Sequence, residues 1–313
     1  AVTARPTDRE LLTTLAGVYE KLGDDAAQAR VLGMRVALDS DAGGASADAL
    51  YRLAQLRFRS DDVEAGCDAF EQAFADEPNP ERAEELLREA SEAHPTATRI
   101  IDIYERLTRA DVEAPRTRGD RVPEHALVDA LTRRWSLPGS TTEPMKEAVE
   151  LAEKIEDKEL AEGLLRRYLE KEHDDKEGRV WALALLAWRC EESGRVREAA
   201  ELKREAAEIA EPEASRRFLF EVAGLASGPL SDLRLASSIY EELHEKEPQD
   251  RDAWEMLLDV YRRLEEFTKL VALVARVVEF VDDPTERSKL RLERVKVQML
   301  KLKLSDDDAA QEL

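Results

Sequence analysis

Cysteine is almost missing from this chain of 313 residues, and the two present, Cys67 and Cys190, share no CxxC spacing and no His-rich neighbourhood. A disulfide framework and a structural zinc site are therefore not supported, and both thiols are expected to be small, buried or half-buried apolar side chains. Aromatic residues make up 5%, and Gly and Pro number 13 and 12. No apolar run approaches the roughly 18 residues that span a bilayer. The opening AVTARPTDRE lacks the basic, apolar and small-residue order of a signal peptide. A soluble chain is expected, with the cytoplasm favoured and the compartment otherwise open. It begins without Met and stops at DDDAAQEL, which reads as the opening of another helix, so a segment of a longer protein is expected. Basic charge is also short: 47 Lys and Arg stand against 69 Asp and Glu, for a net charge of −22. Such a surface repels a phosphate backbone, so general nucleic-acid binding is not expected.

What remains is 43% hydrophobic and 37% charged, rich in Ala, Leu, Glu and Arg. These are straight-chain helix formers, and an all-α chain follows. Gly, Pro and Asp/Ser clusters place helices near 8–22, 24–38, 46–59, 61–75, 80–92 and 96–110, then 143–155, 157–171, 176–193, 195–209, 213–227, 231–246, 250–264, 266–281 and 284–303. Between the two series, residues 111–142 break the rhythm with several prolines and Gly119 and Gly139 around one short helix near 123–134. Three parts are expected: helical repeats over 1–110, an irregular linker or insertion over 111–142, and helical repeats over 143–313. The middle part reads as an irregular repeat with long loops, or as a hinge or docking insertion. Residues 288–304 alternate partly with period two, like a strand, but Leu292, Val295, Met299 and Leu302 also fall at helical spacing. Repeat continuity favours helix.

Internal repetition is the strongest signal. Trp254, Leu257, Leu258 and Tyr261, then Leu270, Val274 and Val277, have relatives upstream. These are Phe220, Ala223, Gly224 and Ser227 with Ala236, Tyr240, Leu243 and Pro248; Leu183, Leu186, Ala187 and Cys190 with Ala199, Lys203 and Ala206; Leu50, Leu53 and Ala54 with Gly66, Phe70, Ala73 and Pro78; and Leu15, Ala16, Tyr19 and Gly23. Helical periodicity puts the first-helix residues on one face, and small residues let the second helix approach closely. One such hairpin cannot cover its own apolar side and must stack on a neighbour. Trp254 and Tyr261 are accordingly read as core. Residues 80–110 fit less well and are read as degenerate repeats.

This pattern resembles the tetratricopeptide repeat (TPR), a helical hairpin of about 34 residues. The resemblance implies an all-α right-handed superhelix, an α-solenoid of antiparallel hairpins with about nine repeat-equivalents by length. It also implies that the first helices line a concave face. On that transfer, Trp181, Leu185 and Trp188 form one stripe and Phe218, Val222 and Leu225 the next, giving an apolar partner-binding groove edged by Glu191 and Glu192. A neighbouring helix of the same chain that already covers these residues is the competing reading. The carboxylate clamp of some family members is not supported, because the best repeat offers Asp252, Glu255 and Asp259 at the matching positions.

Other candidates are weaker. His94, His125, His173 and His244 are scattered and form no metal spacing. Glu172, Asp174 and Asp175 lack the ligand order of a calcium loop and make an inter-helix turn. No glycine motif for phosphate or dinucleotide is present, and no catalytic, cofactor or metal residues are assigned. The basic clusters Arg116, Arg118 and Arg121, Arg133 and Arg134, and 287–303 read as solvated faces or contacts to acidic helices, with an acidic peptide as the other reading. The expected function is a non-catalytic scaffold or adaptor that binds a partner protein or peptide on its concave face. The alternatives are an α/α-barrel enzyme with paired carboxylates and a ligand-responsive peptide sensor.

Overall fold

The computed structural model describes residues 8–41, 44–114, 122–171 and 174–302. Among them are sixteen α-helices and no strand. None of these helices is long and apolar enough to cross a membrane. The contacts divide the chain into two compact units, residues 1–164 and 165–313.

The first unit holds α1 (Arg9–Leu22), α2 (Asp25–Asp41), α3 (Ala47–Arg59), α4 (Val63–Asp76), α5 (Pro80–Ala93), α6 (Thr98–Glu113), α7 (Pro123–Ser136) and α8 (Glu143–Lys154). Helix starts follow capping chemistry: the side chains of Asp8, Ser46 and Asn79 accept the free N–H groups of Leu11, Ala49 and Arg82. Gly23 ends α1 in the left-handed conformation, at φ +69°. Leu50, Leu53 and Ala54 of α3 pack in one core with Phe70 and Ala73 of α4, as the repeat spacing predicts. Gly66 makes the close approach possible, since a Cβ there would lie 2.6 Å from the Phe58 ring. Residues 80–110 form the hairpin α5/α6 on the same core, where fully buried Tyr104 supplies the bulk that the first helix lacks.

The described part of 111–142 lies within the first unit. Residues 115–121, with Arg116, Arg118 and Arg121, lie outside the described residues. The rest of that stretch contains α7, which packs on both α6 and α8 within the first unit. Arg133 and Arg134 lie there among carboxylates: Arg133 bonds Asp129 and Glu92, and Arg134 bonds Glu105 and Asp102. Both arginines therefore serve contacts to acidic neighbouring helices.

Helix α9 (Lys158–Glu170) runs across the division. The second unit continues with α10 (Lys176–Glu192), α11 (Val196–Ile209), α12 (Pro212–Ser227), α13 (Leu233–Lys246), α14 (Arg251–Leu264), α15 (Phe267–Val277) and α16 (Pro284–Leu300). Its core gathers Leu183, Ala206, Tyr240, Trp254, Tyr261 and Val274, among others. Trp254 and Tyr261 are core residues, each 4% exposed. The ambiguous 288–304 stretch is helical to Leu300, started by Pro284 and capped by Asp283. Helix α15 stops at Val277, short of the expected 281. The chain turns there to bury Val281, whose carbonyl accepts two N–H bonds from Arg287.

The repeat length reappears in the electrostatics. Arg52 with Glu20, Arg106 with Glu71, Arg166 with Glu198, Arg216 with Asp250, Arg251 with Glu286 and Arg262 with Glu293 are all partners 31 to 35 residues apart. A side chain thus reaches the equivalent place one hairpin further on. Singly, such exposed pairs contribute about 0–1 kcal/mol. Their value lies in fixing the register between stacked hairpins.

Candidate partner-binding surface

Helix α10 begins at Asp175, whose carboxylate accepts the Gly178 N–H at 2.8 Å and the Tyr168 hydroxyl at 3.2 Å. That carboxylate, one of the acids considered for a metal, acts as a helix cap, while Glu172 and His173 lie outside the described residues. From this start, Ala182, Leu183, Leu186, Ala187 and Cys190 are buried on one side of the helix. Trp181, Leu185 and Trp188 fall on the other side, at spacings of four and three residues.

Their environments differ. Trp181 is half-buried and meets the Tyr168 ring edge-on, with centroids 5.9 Å apart. Leu185 is half-buried. Trp188 is 48% exposed, and among the described residues no ring, cation or hydrogen-bond partner meets its indole. Leaving half of a Trp in water keeps roughly 100 Å² of apolar surface uncovered, worth about 2 kcal/mol if a partner covered it.

The stripe expected on α12 does not continue this surface. Phe218 and Val222 are 4% and 1% exposed and belong to the core of the second unit, and Leu225 is half-buried. The cause is a one-residue slip. Leu219, Val222, Ala223 and Ala226 are buried, with Phe218 beside them, so the first-helix frame sits one position earlier than Phe220, Ala223, Gly224 and Ser227. Gly224, read as the small contact residue, is exposed, and nothing lies within 4 Å of where its Cβ would be. The chain itself covers Phe218 and Val222. Phe220 is half-buried, with its ring edge-on to buried Tyr240 at 5.7 Å between centroids and Arg216 stacked 4.6 Å from its centre, and Glu221 beside it is half-buried.

Glu221 takes part in a charged cluster beside the stripe. Lys203 of α11 is 9% exposed, with Nζ 2.5 Å from Glu191 and 2.6 Å from Glu221. Burial pushes its pKa down, but the bonds to the two carboxylates outweigh this and leave it above 10.5. The ammonium is therefore a fixed charge.

A second surface, missed in the sequence, lies further along. A cleft of about 540 Å³ between α14 and α16 has Trp254, Leu258 and Leu290 in its lining, with Met256 at 49% exposure beside it. Arg262 and Glu293 close its rim with two hydrogen bonds, at 2.7 and 3.1 Å. The available signal was Met256, an apolar residue among the outward-facing Asp252, Glu255 and Asp259.

The histidines stay apart. His94 Nε2 lies 2.7 Å from the Phe58 carbonyl, His125 pairs with Asp157 at 3.2 Å, and His244 is buried.

No family model matches the chain, and no curated protein matches it. Among solved structures, it is similar to the TPR domain of P58(IPK), at 17% identity and TM-score 0.29 over 96% of this chain and 92% of that one. It is similar to yeast Tom70 at 11% identity and TM-score 0.33, over 92% of this chain and 63% of that one. A third similarity is to the structure of Naa15/Naa10 bound to HypK-THB, at 15% identity and TM-score 0.32, over 99% of this chain and 48% of that one.

Proposed function

We propose that the chain is a non-catalytic scaffold that holds a segment of a partner protein against the outward face of α10. One observation carries the reading: Trp188 stands 48% exposed and, among the described residues, without a ring, cation or hydrogen-bond partner, in line with Trp181 and Leu185, on a helix whose opposite side is buried. A large indole left in water by an otherwise well-packed helix marks a surface that gains free energy when covered. Stacked hairpins suit the task, because they hold such a stripe on rigid elements and meet a partner without reordering it.

The test is capture with the full chain as bait, comparing the native protein with Trp188→Ala and, separately, Trp181→Ala. Trp188→Ala is the cleaner variant, since Trp181 also packs on Tyr168. Specific partners should be lost from Trp188→Ala while its thermal melt stays within a degree or two of native. Unchanged capture by a folded Trp188→Ala protein rejects the reading.

A further inference from the structure

The α10 stripe ends in charge, and that ending identifies the kind of segment that fits it, on the reading that the stripe is a docking face. Three and four residues beyond Trp188, on the same side of the helix, stand Glu191 and Glu192. Glu191 and Glu221 share a single ammonium, that of Lys203, so the trio keeps one net negative charge. Glu192 is exposed and adds a second, with no ion-pair partner among the described residues. Arg189 lies about 100° round the helix from Trp188 and is buried at 8% exposure. It leaves the outward face acidic.

Elsewhere the chain covers aromatic rings with its own cations. Arg82 stands 4.5 Å from the centre of the Tyr51 ring, Arg216 4.6 Å from Phe220 and Arg217 5.3 Å from Phe218, with Lys269 5.6 Å from Tyr261 and Lys301 5.2 Å from Phe267. Among the described residues Trp188, whose indole offers the strongest face for a cation, has none, although Glu191 and Glu192 follow it by three and four residues on the same side of the helix.

We propose that Trp188, Glu191 and Glu192 receive an arginine side chain from a partner peptide, with its guanidinium stacked on the indole and bonded to the carboxylates, while neighbouring apolar side chains of that peptide lie over Leu185 and Trp181. Arginine fits better than lysine. Its planar, weakly hydrated group can stack and donate in the plane at once, whereas an ammonium is a strongly hydrated point charge. The occupant is thus an amphipathic segment with an apolar stripe that ends in arginine. An acidic peptide would place like charges together.

A set of short fluorescent peptides tests this. Each carries a helical stripe of three leucines and one arginine at a different spacing from it, and parallel sets carry lysine or glutamate in place of the arginine. All are titrated into the full chain by anisotropy. The best arginine peptide should bind about tenfold tighter than its lysine twin, with the glutamate form weaker still, and its affinity should fall as salt is raised. Trp188→Ala and Glu192→Gln should each weaken it, the former by about tenfold, with unchanged melting curves. If arginine and glutamate peptides bind equally and both depend on Trp188, the stripe docks partners but the arginine assignment is wrong. If no peptide of the set binds, or if binding ignores Trp188→Ala in a folded variant, the arginine site and the docking face fall together.

Discussion

Lys203 Nζ donates to Glu221 at 2.6 Å while it lies 2.5 Å from Glu191, so one cation from α11 joins α10 to α12. It stands between buried Ala199 and Ala206, where the repeat pattern would place an aromatic ring. Replacing it with methionine keeps the stem but leaves two carboxylates facing each other without a counter-charge. The expected loss is about 1–2 kcal/mol in urea unfolding, held to that size because Glu191 and Glu221 remain partly hydrated. Because the folded-state pKa is raised, the stabilisation is fully present below the unfolded value of 10.5 and disappears as pH rises through the folded one. Adding Glu191→Gln and Glu221→Gln to Lys203→Met should recover most of the loss. A single Lys203→Met variant as stable as the native chain at neutral pH would show that the bridge contributes nothing.

Gly178 sits in the first turn of α10 under the Tyr168 hydroxyl. An added Cβ would clash with that oxygen and with the Asp175 Oδ2, and Tyr168 is fully buried. Alanine there must displace either the ring or the cap. Gly178→Ala should cost about 1–3 kcal/mol, from overpacking and a weakened N-cap. Gly163→Ala is the matched control: it lies in α9 with open space around it, and should stabilise by about 0.5–1 kcal/mol through helix propensity alone. Thermal melts of the two variants should move in opposite directions.

Gly224 shows where the sequence stopped being legible. The helices themselves could be read closely, because caps such as Asp250 and Asp283 and apolar spacings such as Trp254, Leu257 and Leu258 are local signals. The register of α12 was not local. A fixed period counted back from α14 points to the wrong face of α12, because Leu219 and Ala236 are 17 residues apart where Leu183 and Ala199 are 16 apart. The extra residue falls in the turn between Ser227 and Leu233, where Ser231 takes φ +53°. One residue rotates a helix face by about 100°, enough to carry Phe218 and Val222 from an expected open wall into the core. The α14/α16 cleft was hidden for another reason, since it depends on how two helices far apart in sequence come together. The slip is testable: Gly224→Ala should stabilise the chain by about 0.5–1 kcal/mol, whereas Ala223→Leu, placed in a fully buried contact, should cost about 1–3 kcal/mol. The reverse pattern would restore the original register.

His244 gives the fold a sensitivity to acid. It lies on α13 at 3% exposure, and its Nδ1 has no hydrogen-bond partner. Burial lowers its pKa below 6.5 and the Arg276 charge lowers it further, while Glu245 and Asp250 pull the other way without reversing the shift. The folded chain therefore holds the neutral ring, whereas the unfolded chain takes up a proton near 6.5. Over the interval between the two pKa values the unfolded state binds more protons, so stability present above the unfolded value is lost as pH falls through the folded one. His244→Leu removes the titration while filling a similar volume. Plotted against pH, the difference in melting temperature between His244→Leu and the native chain should stay flat above about 6.5 and then grow in favour of the variant as the solution is acidified. Parallel curves across that range would mean that His244 finds a partner for its proton in the folded state.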